Sequence, residues 1–276
     1  MDRQFRQVDV FADESFRGNP VAVVHGADGL SGDEMRQFAS WTHLSETTFL
    51  VAPADERADY RVRIFTPERE LPFAGHPTLG TAHAWLEAGG LPAGKDLIMQ
   101  ECGVGLVPVR RSPEGELAFK APPLIRSGPV AEALLDEIAG SLGIGRADIL
   151  DAQWADNGPG WVAVELASAD AVLAVTPGVM SLDIGVVGPY PPGSPEAFEV
   201  RAFTPLIGAG GEDPVTGSLN AGLAMWLLAA GKATAPYTAS QGTALGRRGR
   251  VRVTADDDGI WIGGGTRTLI SGTVVL

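Results

Sequence analysis

GEDPVTGSLNAGLAMWLLAA, from Gly211 to Ala230, is the stretch around which the chain is organised. It opens on turn-forming and acidic residues, and from Pro214 onward it carries no charge. Proline suits the first turn of a helix, where its missing N–H costs nothing, so the spacing predicts Asp213 at the N-cap and a helix running from Pro214. Gly231 is the residue type that closes a helix just past its last turn. Leu219, Leu223, Trp226 and Leu227 make one stripe, while Ala221, Ala224, Met225 and Leu228 cover much of the rest. A helix apolar on nearly every side has to be enclosed by the protein. At its mouth Gly217 and Ser218 offer backbone N–H groups and close approach, which suits an anion.

The first half carries a second copy. Arg63-Ile64-Phe65-Thr66-Pro67 matches Arg201-Ala202-Phe203-Thr204-Pro205, and the offset, 201 − 63 = 138, is half of the 276 residues. After a short link, Gly75-His76-Pro77 aligns with Glu212-Asp213-Pro214, Gly80 with Gly217, Thr81 with Ser218 and Ala84 with Ala221. A fainter echo sets Gly18-Asn19-Pro20-Val21-Ala22-Val23 against the stretch Gly158 to Val164. The chain reads as two related halves, each with a strand feeding a buried helix.

Composition narrows the classes of function. A hydrophobic content of 45% supports a sizeable core. The net charge of −13 argues against nucleic acid or an anionic membrane as a partner, since both call for a basic surface. The single cysteine, Cys102, excludes an intramolecular disulfide framework and an all-cysteine metal site. MDRQFRQVDVF at the start has no apolar signal core, and no apolar run reaches membrane-spanning length, so a cytoplasmic protein is expected.

In order, strands are predicted at Phe5–Phe11, Val21–Val24 and Tyr60–Phe65, with a meander over Leu97–Lys120. Ser31-Gly32-Asp33-Glu34 is a capping-box pattern that opens a helix to about Leu44. The first buried helix runs from Pro77 to about Ala88 and stops at Gly89-Gly90. Pro122 to Pro129 marks a boundary between halves, and Val130–Leu142 is an amphipathic helix. The segment Val187–Pro195, rich in Pro and Gly, reads as an exposed loop. Few strands alternate with helices, which favours α+β over a doubly wound parallel sheet.

Glu46 follows a helix, sits between hydroxyl residues and precedes an apolar run. A carboxylate there can be partly desolvated and suited to proton transfer. On the residues alone, the plainer reading of a capping or surface glutamate outweighs this. Asp213 is an ordinary helix cap by type, but histidine is not a preferred cap, so His76 at the equivalent place points to function. If the halves are related by pseudo-twofold symmetry, both caps meet in one cleft. Ser218 lacks a Gly-x-Ser-x-Gly elbow and reads as a donor to substrate rather than a nucleophile. Gly263-Gly264-Gly265 lacks the context of a dinucleotide site, and no zinc-type spacing is present.

Five ordered motifs together resemble the PhzF-like phenazine-biosynthesis isomerase family. They are Asp9-Val10-Phe11 with Gly18-Asn19-Pro20-Val21-Ala22-Val23, Ser45-Glu46-Thr47-Thr48-Phe49, Arg63 to Pro67, Phe73-Ala74-Gly75-His76-Pro77-Thr78-Leu79-Gly80, and Glu212 to Ser218. The resemblance implies the diaminopimelate-epimerase fold. That fold has two pseudo-symmetric domains, each a curved, mostly antiparallel sheet wrapped around a central buried helix. The domains would span residues 1–122 and 123–276, with the last strand, near 268–276, returning to the first. It also implies a cofactor-independent isomerase without metal, in which Glu46 moves a proton. His76 and Asp213 would assist, with Gly75, Gly217 and Ser218 at the substrate. The epimerase relatives use two cysteines at the cap positions. Those positions are not cysteines here, so a two-thiol racemase mechanism is excluded.

The expected function is therefore proton transfer within a small carboxylate-bearing metabolite held between two domains, in a protein for which a homodimer is the default assembly. A lyase or hydrolase acting on a small acid in the same cleft, and a non-catalytic metabolite-binding protein, are the alternatives.

Overall fold

Strands form where a two-residue period buries one face. Along Tyr60–Phe65 the side chains of Tyr60, Val62 and Ile64 are buried, while those of Arg61 and Arg63 lie between them half-exposed. The computed structural model describes residues 1–205 and 211–276. Its first segments are β1 (Asp2–Val10), β2 (Asn19–Val24), α1 (Gly32–Thr42), β3 (Glu46–Val51), β4 (Tyr60–Phe65), β5 (Glu70–Leu71), α2 (Gly75–Glu87), β6 (Leu97–Cys102), β7 (Gly105–Arg111) and β8 (Leu117–Lys120). Next come β9 (Arg126–Pro129), α3 (Glu132–Leu142), β10 (Asp151–Asp156), β11 (Val162–Glu165), α4 (Ala169–Leu173), β12 (Ile184–Pro189), β13 (Phe198–Phe203) and β14 (Glu212–Asp213). The chain ends with α5 (Gly217–Ala229), β15 (Tyr237–Gln241), β16 (Gly249–Asp256), β17 (Gly259–Gly264) and β18 (Thr266–Val275). This is an α+β protein of many strands and few helices.

Two compact units result. One comprises Met1–Lys120 with Gly263–Leu276, the other Ala121–Ile262. In the first, the strands pair in the order β18, β1, β2, β3, β4, β6, β7, β8, and only β2–β3 and β4–β6 are parallel. In the second the order is β9, β10, β11, β12, β13, β15, β16, with β11–β12 and β13–β15 parallel. The same plan is used twice.

Each sheet packs on an apolar helix. In the first unit α2 touches β1, β2, β3, β6, β8 and β18, and in the second α5 touches β10, β11 and β16. Ten of the residues of α5, from Gly217 to Leu227, are buried, which is the enclosure its composition demands. Glycine lets the helices approach. A Cβ at Gly80 would lie 2.3 Å from Val21 Cγ1, and one at Gly222 would lie 2.4 Å from the carbonyl oxygen of Ala155. The Ser31–Glu34 capping box forms as read.

Three expectations need correction. The segment Val187–Pro195 is not all loop, because Val187 to Pro189 belong to β12 and Val187 is buried against β13. Asp213 is not the cap of α5. It ends the short strand β14, and Thr216 is the N-cap, with Gly217 the first helical residue. His76 is not a cap either, since Ala74 is the N-cap and Gly75 the first residue of α2.

The physical reason lies in the strand before each helix. Phe65 pairs with Glu70, and Phe203 pairs with Glu212, so β5 and β14 are equivalent and the link preceding β14 is the longer. Arg63 and Glu70 form an ion pair at 2.7 Å, and Arg201 and Glu212 form the same pair at 2.7 Å. In this register the helices start together, so Gly75 corresponds to Gly217, His76 to Ser218 and Gly80 to Gly222, and the residue-by-residue match of His76 with Asp213 is lost. Among the described residues, no helix is long and apolar enough to cross a membrane.

The paired arginines differ in setting, and that gives a test. The Arg201 and Glu212 side chains are each 5% exposed, and Arg201 also donates to the carbonyls of Val172 and Val175. Those of Arg63 and Glu70 are 26% and 43% exposed. Glu212→Ala is expected to lower unfolding free energy by about 3–5 kcal/mol, because it strands a buried charge. Glu70→Ala should lower it by less than about 1 kcal/mol. Urea unfolding of both variants beside the parent protein measures the difference.

Candidate active site

In the first unit, three side chains converge from three elements. Val21 of β2 pairs in parallel with Glu46 at the start of β3, which sets Asn19, two residues before Val21, close to that carboxylate's strand end. His76 comes from the first turn of α2. Its Nε2 lies 3.3 Å from Glu46 Oε2, and its Nδ1 lies 3.3 Å from Asn19 Nδ2. Asn19 and His76 are buried, and the Glu46 side chain is 15% exposed.

Burial removes His76 from water without supplying a counter-charge strong enough to hold its cation, so its pKa is pushed down to about 3. The ring is neutral at neutral pH. The Glu46 contact is therefore not an ion pair, and it also lacks the alignment of a hydrogen bond. Gly75 and His76 contribute N–H groups ahead of the first intrahelical bond, which runs from Thr78 N to Ala74 O at 3.2 Å.

In the second unit the N-terminus of α5 is organised by side chains. Thr216 Oγ1 donates to Asp213 Oδ2 at 2.5 Å, and Thr216 N donates to Gln241 Oε1 at 2.9 Å. Gln241 Nε2 in turn donates to Thr216 Oγ1 at 2.9 Å and to Asp213 O at 3.2 Å. Asn220 Nδ2 closes the network on Gln241 Oε1 and on the Thr216 carbonyl, both at 2.9 Å. Asp213 is thus held in place although it caps no helix. Ser218 is 5% exposed. Its Oγ accepts from Trp161 Nε1 at 3.0 Å, and its carbonyl accepts from Asn157 Nδ2 at 2.9 Å. The Ser218 hydroxyl hydrogen and the N–H groups of Gly217 and Ser218 make a donor set suited to an anion.

Of the residues read from sequence, Glu46, His76 and Gly75 lie together in the first unit, and Asp213, Gly217 and Ser218 lie together in the second. Reading the sequence missed Asn19, Asn157, Trp161 and Gln241. Asn19 stands inside a motif that was noticed, and Asn157 and Trp161 flank or fall within the echo from Gly158 to Val164. Gln241 sits in β15 with no local signal, because its role depends on a strand pairing distant in sequence. Cys102 lies in β6, buried, with its thiol pKa raised by desolvation. Among the described residues, no group of three or more His, Cys, Asp or Glu side chains is placed to hold a metal ion.

Comparison with known proteins places the chain. The family described as phenazine biosynthesis-like protein, PhzC-PhzF, matches residues 8–276. Antisense-enhancing sequence 1 of Schizosaccharomyces pombe is 38% identical over 98% of each chain. The trans-2,3-dihydro-3-hydroxyanthranilate isomerase of Pseudomonas aeruginosa is 35% identical over 91% of this chain and 90% of its own. A crystal structure of a PhzF-family phenazine biosynthesis protein from Enterococcus faecalis superposes with a TM-score of 0.79 at 26% identity, covering 100% of both chains. The chain belongs to the PhzC-PhzF family and is an isomerase.

The depressed pKa of His76 has a consequence for stability. Its folded value lies below the unfolded 6.5, so below pH 6.5 the unfolded chain binds a proton that the folded one refuses. The contribution is complete above pH 6.5 and is lost as pH falls toward about 3. The slope is up to about 1.4 kcal/mol per pH unit. His76→Gln is expected to flatten this part of the stability–pH curve, as measured by urea unfolding at a series of pH values.

Proposed function

We propose that this isomerase moves a proton within a small carboxylate-bearing metabolite, with Glu46 as the single shuttling acid and base. The observation that carries the reading is the Glu46 carboxylate 3.3 Å from the buried His76 ring. Burial disfavours the imidazolium form, so His76 is a poor proton acceptor beside the carboxylate, and its ring can serve charge stabilisation instead.

The substrate carboxylate is held by the N–H groups of Gly217 and Ser218 and by the Ser218 hydroxyl, helped by the positive end of α5. Glu46 takes a proton from a carbon next to an activating group, and the electron pair shifts along the substrate. The protonated Glu46 then returns the proton to a different carbon, so the atoms of substrate and product are the same. His76 stabilises the charge that develops in between, and Asp213, fixed by Thr216, orients the substrate's polar groups. Gly75 lets the substrate approach the backbone at the mouth of α2. The relative that acts on trans-2,3-dihydro-3-hydroxyanthranilate makes a cyclic amino acid of that size the first candidate.

The test is NMR in deuterated water with that compound and a panel of amino, hydroxy and cyclohexadienyl carboxylates. Isomerisation at unchanged mass, with deuterium entering the product, is expected from the parent protein. Glu46→Gln should reduce the rate by roughly 10²–10⁴-fold while folding normally. Turnover that survives this substitution would remove Glu46 from the role, and a product of different mass would point to a lyase or hydrolase.

A further inference from the structure

His76 is neutral and has two distinguishable ring nitrogens, so one question is left open by its burial: which nitrogen carries the hydrogen. The answer decides whether the ring faces Glu46 with a donor or with a lone pair. It is settled by what lies on the other side of the ring.

Asn19 Nδ2 is 3.3 Å from His76 Nδ1. An amide NH2 can only donate, so Nδ1 must accept, and the ring hydrogen is left on Nε2. Nε2 is the nitrogen that faces Glu46 Oε2. We propose that Asn19 is a positioning residue that locks His76 as the Nε2–H tautomer, so that the first unit presents one base, Glu46, and one neutral donor, His76. Its bearing on catalysis rests on the proton-transfer reading above, whereas the tautomer itself does not.

The surroundings show why Asn19 can impose this. It is fully buried at the first position of β2, paired with Val10 across β1. The turn before it is tied down, since the Asp9 carboxylate accepts from Gly18 N at 3.0 Å and from Arg17 N at 3.1 Å. A Cβ at Gly18 would lie 2.0 Å from the Val10 carbonyl oxygen, so the backbone passes too close for any side chain there. Pro20 restricts Asn19 to extended backbone. The amide is held by the fold, and the ring follows it. With the hydrogen on Nδ1 instead, the bare Nε2 would face the Glu46 carboxylate, lone pair against lone pair, and the site would hold two competing bases.

The experiment needs no substrate, so its outcome is independent of whether the isomerase substrate has been found. Protein labelled with 15N at histidine is observed by long-range proton–nitrogen correlation, which separates the two neutral tautomers and the imidazolium. Only four histidines contribute signals, and His76→Gln identifies the set that belongs to His76. At neutral pH, His76 is expected with Nε2 protonated and Nδ1 bare. In Asn19→Asp the carboxylate can only accept, so the Nδ1 signal should shift to the protonated range. A bare Nε2 or an imidazolium in the parent protein would overturn the proposal. So would a spectrum of Asn19→Asp in which Nδ1 stays bare. Should Asn19→Asp fail to fold, the parent spectrum alone decides.

Discussion

Enclosing an apolar helix is the constraint from which the rest of this structure follows. From Gly75 to Ala84 every residue of α2 but His83 is buried, and so are ten of the residues of α5, so each helix must be covered by strands, and each unit builds a sheet to do it. The enclosure has one unavoidable polar flaw. The first N–H groups of a helix have no partner within it, and here they are buried with the helix. The residues of the candidate site gather at that flaw. His76 and Gly75 stand at the start of α2, Ser218 and Gly217 at the start of α5, and the side chains around them come from the strands that cover each helix.

The two units solve the same problem differently. At the N-cap, Thr216 in the second unit is bound into a network with Asp213, Gln241 and Asn220, whereas Ala74 in the first offers no side chain. At the next corresponding pair, the second unit has Ser218, whose hydroxyl accepts from Trp161, and the first has His76 beside the Glu46 carboxylate. One repeat sets a hydroxyl and backbone N–H groups at its helix start, the other an imidazole and a carboxylate. Equivalent backbone supports unequal chemistry because side chains at a helix start are constrained by the helix direction and not by each other.

Much of this was legible in the sequence, and what was missed has physical causes. The α+β class, the internal repeat and both buried helices came from apolar content and the doubled Arg-x-Phe-Thr-Pro run, since burial on all sides leaves a plain mark on composition. The residues of the candidate site were named in advance through the motifs that hold them. The register was misread at Asp213 because Asp followed by Pro is a strong local sign of a helix start. The pull of Arg201 on Glu212 instead draws Glu212 and Asp213 into β14, and the helix begins three residues after Pro214. Asn19 and Gln241 were not singled out for a related reason. Each acts through a neighbour far away in sequence, so no local pattern reports the role.

The strand that completes the first unit follows the whole of the second in sequence. Thr266–Val275 pairs along the whole of β1, yet every residue of Ala121–Ile262 leaves the ribosome before it. The usual order of synthesis, in which the earlier unit is finished first, is inverted. Until Thr266–Val275 emerges, β1 has β2 on one side and an unpaired row of N–H and C=O groups on the other, the kind of open edge that recruits strands from other chains. For this protein, the vulnerable interval in biogenesis spans the synthesis of Ala121–Ile262, and it is the older half of the polypeptide that is exposed during it.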